Sequence, residues 1–319
     1  MLLYALKRLA GIAAILAVMS VLIFWATQVM PGDVAHMIVG QFATDDQVRA
    51  VRGRLGLDDP VLDQYLRWAG AVLRGDLGLS MMMDRPVGPL IGEAIVRSAA
   101  LAGISIVLVA ILGIGLGVLT GTRPGTTTDH AVSVGLYFFI SVPEFFWAIV
   151  VILLFAGTLG WFPATGYAPM AEGFGTWLQH IVLPVATLVS GLVAHVARLT
   201  RSSIIETMRA QYVVAARAKG LPERTVIRRH ALPNALVPTI TVLAIDVGLL
   251  MGGIVVVETV FSYPGLGRLL IFAIEQKDLP VVQAGILVVT AVYAVANLVA
   301  DLAYAWFNPR IRYGRAVAS

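Results

Sequence analysis

Six apolar stretches of about 20 residues each dominate this chain and limit what it can fold into. None of them contains lysine or arginine, and they cover residues 9–30, 99–121, 131–157, 178–197, 235–257 and 279–300. A helix needs about 20 apolar residues to cross the hydrocarbon core of a membrane. With 58% hydrophobic and 13% charged residues among 319, the chain has more apolar surface than one soluble core can bury. The sequence therefore predicts an all-α integral membrane protein with six transmembrane helices.

The first apolar stretch follows Lys7 and Arg8, an arrangement that resembles a secretory signal peptide. The stretch is longer than the apolar region of a signal peptide, however, and it lacks a small-residue cleavage site. We therefore expect residues 1–30 to remain as an N-terminal transmembrane helix.

Positive charges predict which side of the membrane each loop occupies. With six crossings, the segments on one side contain Lys7, Arg8, Arg123, the basic cluster 198–229 and the arginines after residue 309. Lysine and arginine concentrate in cytoplasmic loops, so we expect both termini to be cytoplasmic. A second crossing within 131–171 would put the basic cluster on the wrong side, and that region is therefore interpreted as one crossing. Because this rule accounts for the net charge of +4, no nucleic-acid partner is expected.

These crossings divide the chain into four parts. We expect an N-terminal helix at 1–30, an extracytoplasmic segment at 31–98, a five-helix core at 99–306 with a cytoplasmic loop at 198–233, and a cytoplasmic tail at 307–319. Within the extracytoplasmic segment, an apolar stripe at helical spacing is formed by Leu62, Tyr65, Leu66, Ala69, Val72 and Leu73. The stripe is consistent either with a folded cap on the outer membrane face or with a docking surface for an external partner.

Motifs for enzymatic chemistry are absent from the sequence. It has no GxxxxGK[ST] phosphate loop, no HExxH zinc motif, no GxSxG nucleophile motif and no cysteine. Its histidines lack the spacing of metal ligands. We expect no catalytic site, no metal and no cofactor in this chain.

Ionisable residues inside the apolar stretches are candidates for function, because a charge within the membrane is costly and usually faces a bundle interior or a wet cavity. Asp246 is the most central, and it is interpreted either as a pathway or gating residue or as a buried acid that packs helices. Glu144 is a further pathway candidate. Glu258 and His195 lie near the ends of their stretches, where helix capping or snorkelling competes with a gating role.

Three glycines, Gly113, Gly117 and Gly121, recur at every fourth position of the second stretch. This spacing predicts a face on which another helix packs closely.

The basic cluster contains the segment YVVAARAKGLPERTVIRRHALPNA. A helix is predicted to end at Gly220 and a second to begin near Pro222, giving a helix pair on the cytoplasmic side. The pair is interpreted either as a loop that touches anionic lipid or as a contact surface for another protein.

This segment resembles the cytoplasmic coupling motif of ABC importer permeases, a Glu-Ala-Ala triplet followed by a glycine and then by Leu-Pro. The positions that match the motif are Ala215, Ala216, Gly220, Leu232 and Pro233. Val214 replaces the glutamate and His230 replaces an isoleucine, so an ionic contact at position 214 is not expected.

Other segments resemble permeases of the oligopeptide, dipeptide and nickel importer family, in particular the first of its two paired permeases. They are MPGDVA, LGLDDPVLDQYLRWAGAVLRGDLG, GGIVVVETVFSYPGLGRLL and NPRIR, in the order expected for that family.

The resemblance implies a type I importer fold in the inner membrane, with a second homologous permease, two cytoplasmic ATPases and an extracytoplasmic binding protein as partners. It implies that the binding protein docks near Asp59, Tyr65, Trp68 and Asp76. Peptide is the expected cargo, while nickel chelates or other small solutes are the alternatives within the family. An ion-coupled secondary transporter that uses Asp246 is the alternative outside it, although no inverted repeat favours that reading.

Overall fold

The computed structural model describes residues 2–29 and 44–307. In this part of the chain the structure is helical and contains no β-strand, so the predicted all-α class is confirmed. The helices are α1 (Leu2–Val29), α2 (Asp45–Leu55), α3 (Val61–Leu73), α4 (Val87–Gly121), α5 (Thr127–Ser141), α6 (Glu144–Thr158), α7 (Phe174–Met208), α8 (Gln211–Ala218), α9 (Glu223–Val260), α10 (Leu266–Glu275) and α11 (Leu279–Phe307). The MPGDVA and NPRIR segments, residues 31–43 of the extracytoplasmic segment and residues 308–319 of the tail lie outside the described residues.

Five helices among the described residues are long and apolar enough to cross a membrane, namely α1, α4, α7, α9 and α11. The sixth predicted crossing, at 131–157, is a pair of helices, α5 and α6, bent by 103°. Pro143 causes the break, because proline offers no backbone N–H and forces the preceding Val142 into an extended conformation, with φ −105° and ψ 131°. The bent pair gives six crossings if it counts as one span, and the number of crossings stays a prediction.

The described residues form two compact units, those within 1–96 together with 269–294 and those within 97–268 together with 295–307. The domain boundaries predicted from the sequence were placed at membrane crossings, whereas these units are defined by compactness. The predicted boundaries therefore stay a prediction.

In the first unit, the amphipathic helix α3 packs against α1. The Phe24 ring lies 5.5 Å from the Tyr65 ring and 5.6 Å from the Trp68 ring, measured between centroids. The Tyr65 hydroxyl lies within hydrogen-bond distance of the Ser20 hydroxyl, at 2.9 Å. Tyr65 belongs to the predicted apolar stripe, whereas Trp68 lies outside it.

In the second unit, α7 and α9 form the centre of the apolar core, and α4 packs closely on α7. A Cβ atom added to Gly113 would lie 2.7 Å from the Val196 side chain, and one added to Gly121 would lie 2.8 Å from Ile204. At Gly117 an added Cβ would lie 2.7 Å from the Ala197 carbonyl oxygen. The glycine face predicted from the sequence is therefore confirmed as a close helix contact.

Candidate functional site

The basic cluster folds as a helical hairpin made of α8 and the first turns of α9. Gly220 lies between the two helices with φ +75°, in the left-handed region that favours glycine. Pro222 precedes the first residue of α9. The predicted turn at Gly220 and the predicted start of a second helix near Pro222 are therefore present.

A small apolar core holds the hairpin together. It consists of Val213, Ala216, Val226 and Ala231, with Met208 of α7 packed against it. Ala216 is only 5% exposed, whereas its neighbour Ala215 is exposed. Both alanines match the coupling motif, but the structure places Ala216 inside the hairpin and Ala215 outside it.

An ion pair closes the hairpin next to the turn. The Arg217 guanidinium donates to both carboxylate oxygens of Glu223, from Nε at 3.0 Å and from Nη2 at 2.6 Å. Arg217 Nη1 also reaches the carbonyl oxygen of Met208 at 3.5 Å. The bonds to Glu223 raise the pKa of the Arg217 guanidinium above its ordinary value. Arg217 therefore helps to fix the hairpin geometry.

The outer surface of the hairpin combines apolar and basic groups. Val214, which replaces the glutamate of the coupling motif, is 54% exposed, and Tyr212 and Leu221 of the same hairpin are exposed as well. Pro233 is exposed as well, while Leu232 is half-buried. A partner would meet an apolar surface at Val214 in place of a carboxylate.

Asp246 of α9 is fully buried and faces α7. Its Oδ1 lies 3.0 Å from Nδ1 of His195, whose side chain is about one-third exposed. The second oxygen, Oδ2, is buried and has no hydrogen-bond partner among the described residues. Burying a carboxylate oxygen without a hydrogen-bond partner costs free energy. Ionisable residues that are kept within a membrane at such a cost usually have a function.

Glu258 has a different environment, because hydrogen-bond donors surround its carboxylate. Oε1 accepts a hydrogen bond from the Ser98 hydroxyl, and Oε2 accepts from the backbone N–H groups of Gly267 and Arg268 at 2.8 and 3.2 Å. Ser98 in turn accepts from the N–H of Leu266 at 2.8 Å. The two backbone donors lie at the start of α10, so the geometry supports the capping alternative for Glu258.

Glu144 is half-buried at the start of α6, directly after the break at Pro143. It lines a cavity of about 280 Å³ together with residues of α5, α7 and α9. A Cβ atom at Gly253 would lie 2.6 Å from Glu144 Oε2, so the glycine allows α9 to approach the carboxylate.

The four residues expected to meet a binding protein have different surroundings in the first unit. Tyr65 and Trp68 are half-buried against Phe24. Asp59 is exposed and pairs with Arg67 at 2.7 Å. Asp76 accepts a hydrogen bond from the N–H of Gly78 at 3.0 Å and is exposed. Of the four residues, only the two aspartates are therefore exposed.

Two buried groups were missed by the sequence reasoning. Asp129 of α5 accepts two hydrogen bonds from Arg201 of α7, at 2.6 and 2.7 Å, and is 2% exposed. Tyr263 is buried and donates to the carbonyl oxygen of Arg97, and burial raises the pKa of its hydroxyl above the ordinary value. The partners are 72 and 166 residues apart, and no local pattern indicates either contact.

No group of three or more metal-ligating side chains occurs within residues 2–29 and 44–307.

Several curated proteins are similar to this chain over nearly its full length. The probable peptide ABC transporter permease protein y4tP of Sinorhizobium fredii is 36% identical over 97% of this chain and 99% of its own. A putative peptide transport system permease protein of Brucella abortus is 37% identical over 97% of this chain and 98% of its own. The glutathione transport system permease protein GsiC of Escherichia coli O6:H1 is 38% identical over 98% of this chain and 100% of its own.

Solved structures share the fold. A chain of the MetNI methionine ABC transporter, in an inward-facing conformation, matches with a TM-score of 0.56 and 18% identity. The match covers 69% of this chain and 96% of the MetNI chain. At this identity the match shows the fold alone.

Two family models together match almost the whole sequence. Residues 1–103 match the N-terminal part of the binding-protein-dependent transport system membrane component. Residues 113–313 match the binding-protein-dependent transport system inner membrane component. The resemblance drawn from the motifs is thereby confirmed, and the chain belongs to the family of binding-protein-dependent transport system inner membrane components.

Proposed function

We propose that this chain is the first of two homologous permease subunits in an ABC importer of the inner membrane. Two cytoplasmic ATPases would bind the hairpin of α8 and α9, and an extracytoplasmic binding protein would deliver the cargo. ATP hydrolysis takes place on the ATPases in this proposal. The observation that carries it is the basic hairpin with its own apolar core, which is continuous with two helices long enough to span the membrane.

The geometry of the hairpin suits the transmission of movement. Its apolar core and the Arg217–Glu223 ion pair hold α8 against the start of α9. α7 leads directly into the hairpin and also contacts α9 through the hydroxyls of Thr200 and Thr239, which lie 3.1 Å apart. Displacement of the hairpin by an ATPase would therefore move α7 and α9 together, as expected of a rigid-body switch.

The surface around Val214 suits a largely apolar contact with the ATPase. The hairpin exposes both apolar and basic side chains. Ala215 belongs to the contact surface in this proposal. Ala216 contributes by packing inside the hairpin, and Gly220 by allowing the turn.

Peptides are the cargo that we propose. The relatives named above are described as peptide or glutathione permeases, and glutathione is itself a short peptide. Nickel chelates or other small solutes are the alternative within the same family.

On the outer side, we propose that Asp59 and Asp76 contact the binding protein. Tyr65 and Trp68 hold α3 against α1 and so support that surface. Within the spans, Asp246 and Glu144 are the proposed pathway or gating residues, while Glu258 holds the start of α10.

The proposal is tested at Gly220. We expect Gly220→Ala to strain the turn by about 1–2 kcal/mol, because a residue with a Cβ is disfavoured at φ +75°. Uptake of a radiolabelled dipeptide should fall severalfold, while the ATPases still hydrolyse ATP.

Gly125 provides a matched control. It has φ +79°, and like Gly220 it has no atom within 4 Å of an added Cβ. Gly125→Ala introduces the same backbone strain outside the hairpin and should leave uptake close to wild type. Equal uptake in the two variants would contradict the proposed role of the hairpin.

A further inference from the structure

The cavity that Glu144 lines lies between four helices of the second unit, α5, α6, α7 and α9. Leu188 of α7 and Leu250 of α9 form part of its wall, and each is 2% exposed. The lining side chains are apolar apart from Glu144, Ser190 and the indole N–H of Trp147. Glu144 is therefore the one charged residue among those that line this cavity.

The polar groups of the lining differ in whether they are already bonded. Ser190 Oγ donates to the carbonyl oxygen of Thr187 at 2.7 Å, and Trp147 Nε1 donates to that of Phe139 at 3.2 Å. The carboxylate of Glu144 has no hydrogen bond and no ion pair among the described residues. The lining therefore presents one side chain whose polar atoms are still free to bind a ligand.

The carboxylate of Glu144 lies against the backbone of α9. A Cβ atom added to Gly253 would lie 2.6 Å from Oε2 and 2.8 Å from Oε1. Glu144 is thus directed towards another helix of its own subunit. A charge held between apolar helices costs free energy unless an opposite charge compensates it. The position of Glu144 therefore indicates a cationic ligand.

Two features of the cavity indicate the kind of cation. α5 ends at Ser141, and its residues Phe139 and Ile140 line the cavity, so the partial negative charge of the helix end lies beside Glu144. A metal ion such as Ca²⁺ takes about six or more oxygen ligands, whereas this lining offers one carboxylate. An ammonium group has three N–H donors, which a carboxylate and a helix end can accept.

The size of the cavity suits the end of a peptide. Its volume of about 280 Å³ corresponds to about nine water molecules at about 30 Å³ each. The first residue of a short peptide, with its ammonium group and a small side chain, needs less than this. Phe139, Trp147 and Leu192 provide an apolar surface for that side chain.

We propose that this cavity binds the amino terminus of a peptide cargo and that Glu144 accepts hydrogen bonds from its ammonium group. The inference rests on the proposed peptide cargo, and it adds the chemical group that this subunit recognises. The break at Pro143 contributes by placing Glu144 directly after the end of α5, where both negative groups face one ligand.

The test uses the absence of cysteine from this chain. Ser190→Cys replaces a hydroxyl by a thiol at a half-buried lining position, and this thiol is unique within the chain. The complex of permeases and ATPases is purified without the binding protein, so that the selectivity of the binding protein does not contribute. A small methanethiosulfonate reagent labels the thiol, and mass spectrometry of this chain measures the rate. We expect the dipeptide Ala-Ala to slow the labelling.

Two comparisons assign the protection to the ammonium group and to Glu144. N-acetyl-Ala-Ala lacks the ammonium group and should not protect at a concentration at which Ala-Ala does. Glu144→Gln should raise the concentration of Ala-Ala needed for half-protection about tenfold, because hydrogen bonds between two charged groups are stronger than those to a neutral amide. Glu172→Gln, which removes an exposed carboxylate outside the lining, should leave that concentration unchanged.

Equal protection by the two peptides would overturn the proposal, and so would an unchanged half-protection in Glu144→Gln. The comparison of peptides needs no change at Glu144, so it decides the question even if that variant fails to assemble. Uptake of radiolabelled Ala-Ala by the complete importer separates this inference from the proposed cargo. Uptake without protection would overturn the inference alone, whereas the absence of uptake would overturn both.

Discussion

The ion pair between Asp129 and Arg201 gives the sharpest prediction about stability. Asp129 is 2% exposed, and Arg201 holds both of its oxygens at 2.6 and 2.7 Å. The N–H of Gly125 donates to the same carboxylate at 2.9 Å. Asp129→Asn keeps the shape of the side chain but removes the charge, which leaves the guanidinium without its counterion.

The expected cost follows from burial. Breaking one side of a buried ion pair costs about 3–5 kcal/mol. Arg201 is 31% exposed and can regain some hydration, so we expect the lower end of that range. A loss of about 3 kcal/mol corresponds to somewhat more than a hundredfold change in the unfolding equilibrium.

Reversible unfolding of the purified chain in mixed detergent micelles measures this change, and the first unit offers a matched control. Asp59 also pairs with one arginine, at 2.7 Å, but its side chain is 47% exposed. Asp59→Asn should therefore cost less than about 1 kcal/mol. In a double-mutant cycle, Asp129→Asn with Arg201→Gln should cost less than the sum of the two single changes. Equal losses for Asp129→Asn and Asp59→Asn would refute the reasoning.

Three further predictions concern packing and capping. Gly117→Leu should prevent α4 from packing on α7 and lower the yield of folded protein severalfold. Gly115→Leu should leave the yield unchanged, because no atom lies within 4 Å of a Cβ added there, and gel filtration of the detergent extract compares the two variants. Glu258→Gln should lower the free energy of unfolding by about 1–2 kcal/mol, because an amide accepts fewer hydrogen bonds from the N–H groups at the start of α10 than a carboxylate does. A change below about 0.5 kcal/mol in the same micelles would count against the capping role. Trp68→Ala should loosen α3 from α1 and make the bonds around Arg67 more accessible to trypsin; an unchanged digestion rate would contradict the packing seen with Phe24.

The sequence predicts best those features that depend on local chemistry. Gly220 could be placed in a turn because glycine tolerates the left-handed conformation. The close packing of Gly113, Gly117 and Gly121 could be predicted because one helical face carries all three. The break at Pro143 was not predicted within 131–157, although proline disfavours a continuous helix. Its angle of 103° depends on how both helices pack, which no local pattern contains.

Side-chain direction in short helices was harder to predict. In α8, Ala215 and Ala216 are equally small, and only the position of Val226 and Ala231 decides which alanine is buried. The apolar stripe of α3 was visible, yet the sequence did not indicate that Tyr65 and Trp68 pack on Phe24. Long-range pairs such as Asp129 and Arg201 leave no sequence spacing to detect, because the fold alone brings them together.

The contact between the hairpin and an ATPase is the central claim, and the chain itself makes a direct test simple. It contains no cysteine, so one introduced cysteine is unique within it. Ala215→Cys and Ala216→Cys place that cysteine at an exposed and at a buried position of the same helix. Each variant is treated in native membranes with a short cross-linker that joins a thiol to an amine, then purified in mild detergent, and its cross-linked partners are identified by mass spectrometry.

We predict that Ala215→Cys is cross-linked to a nucleotide-binding ATPase subunit and that Ala216→Cys is cross-linked at least tenfold less. An adduct of Ala215→Cys with lipid alone, or equal cross-linking at the two positions, would contradict the account.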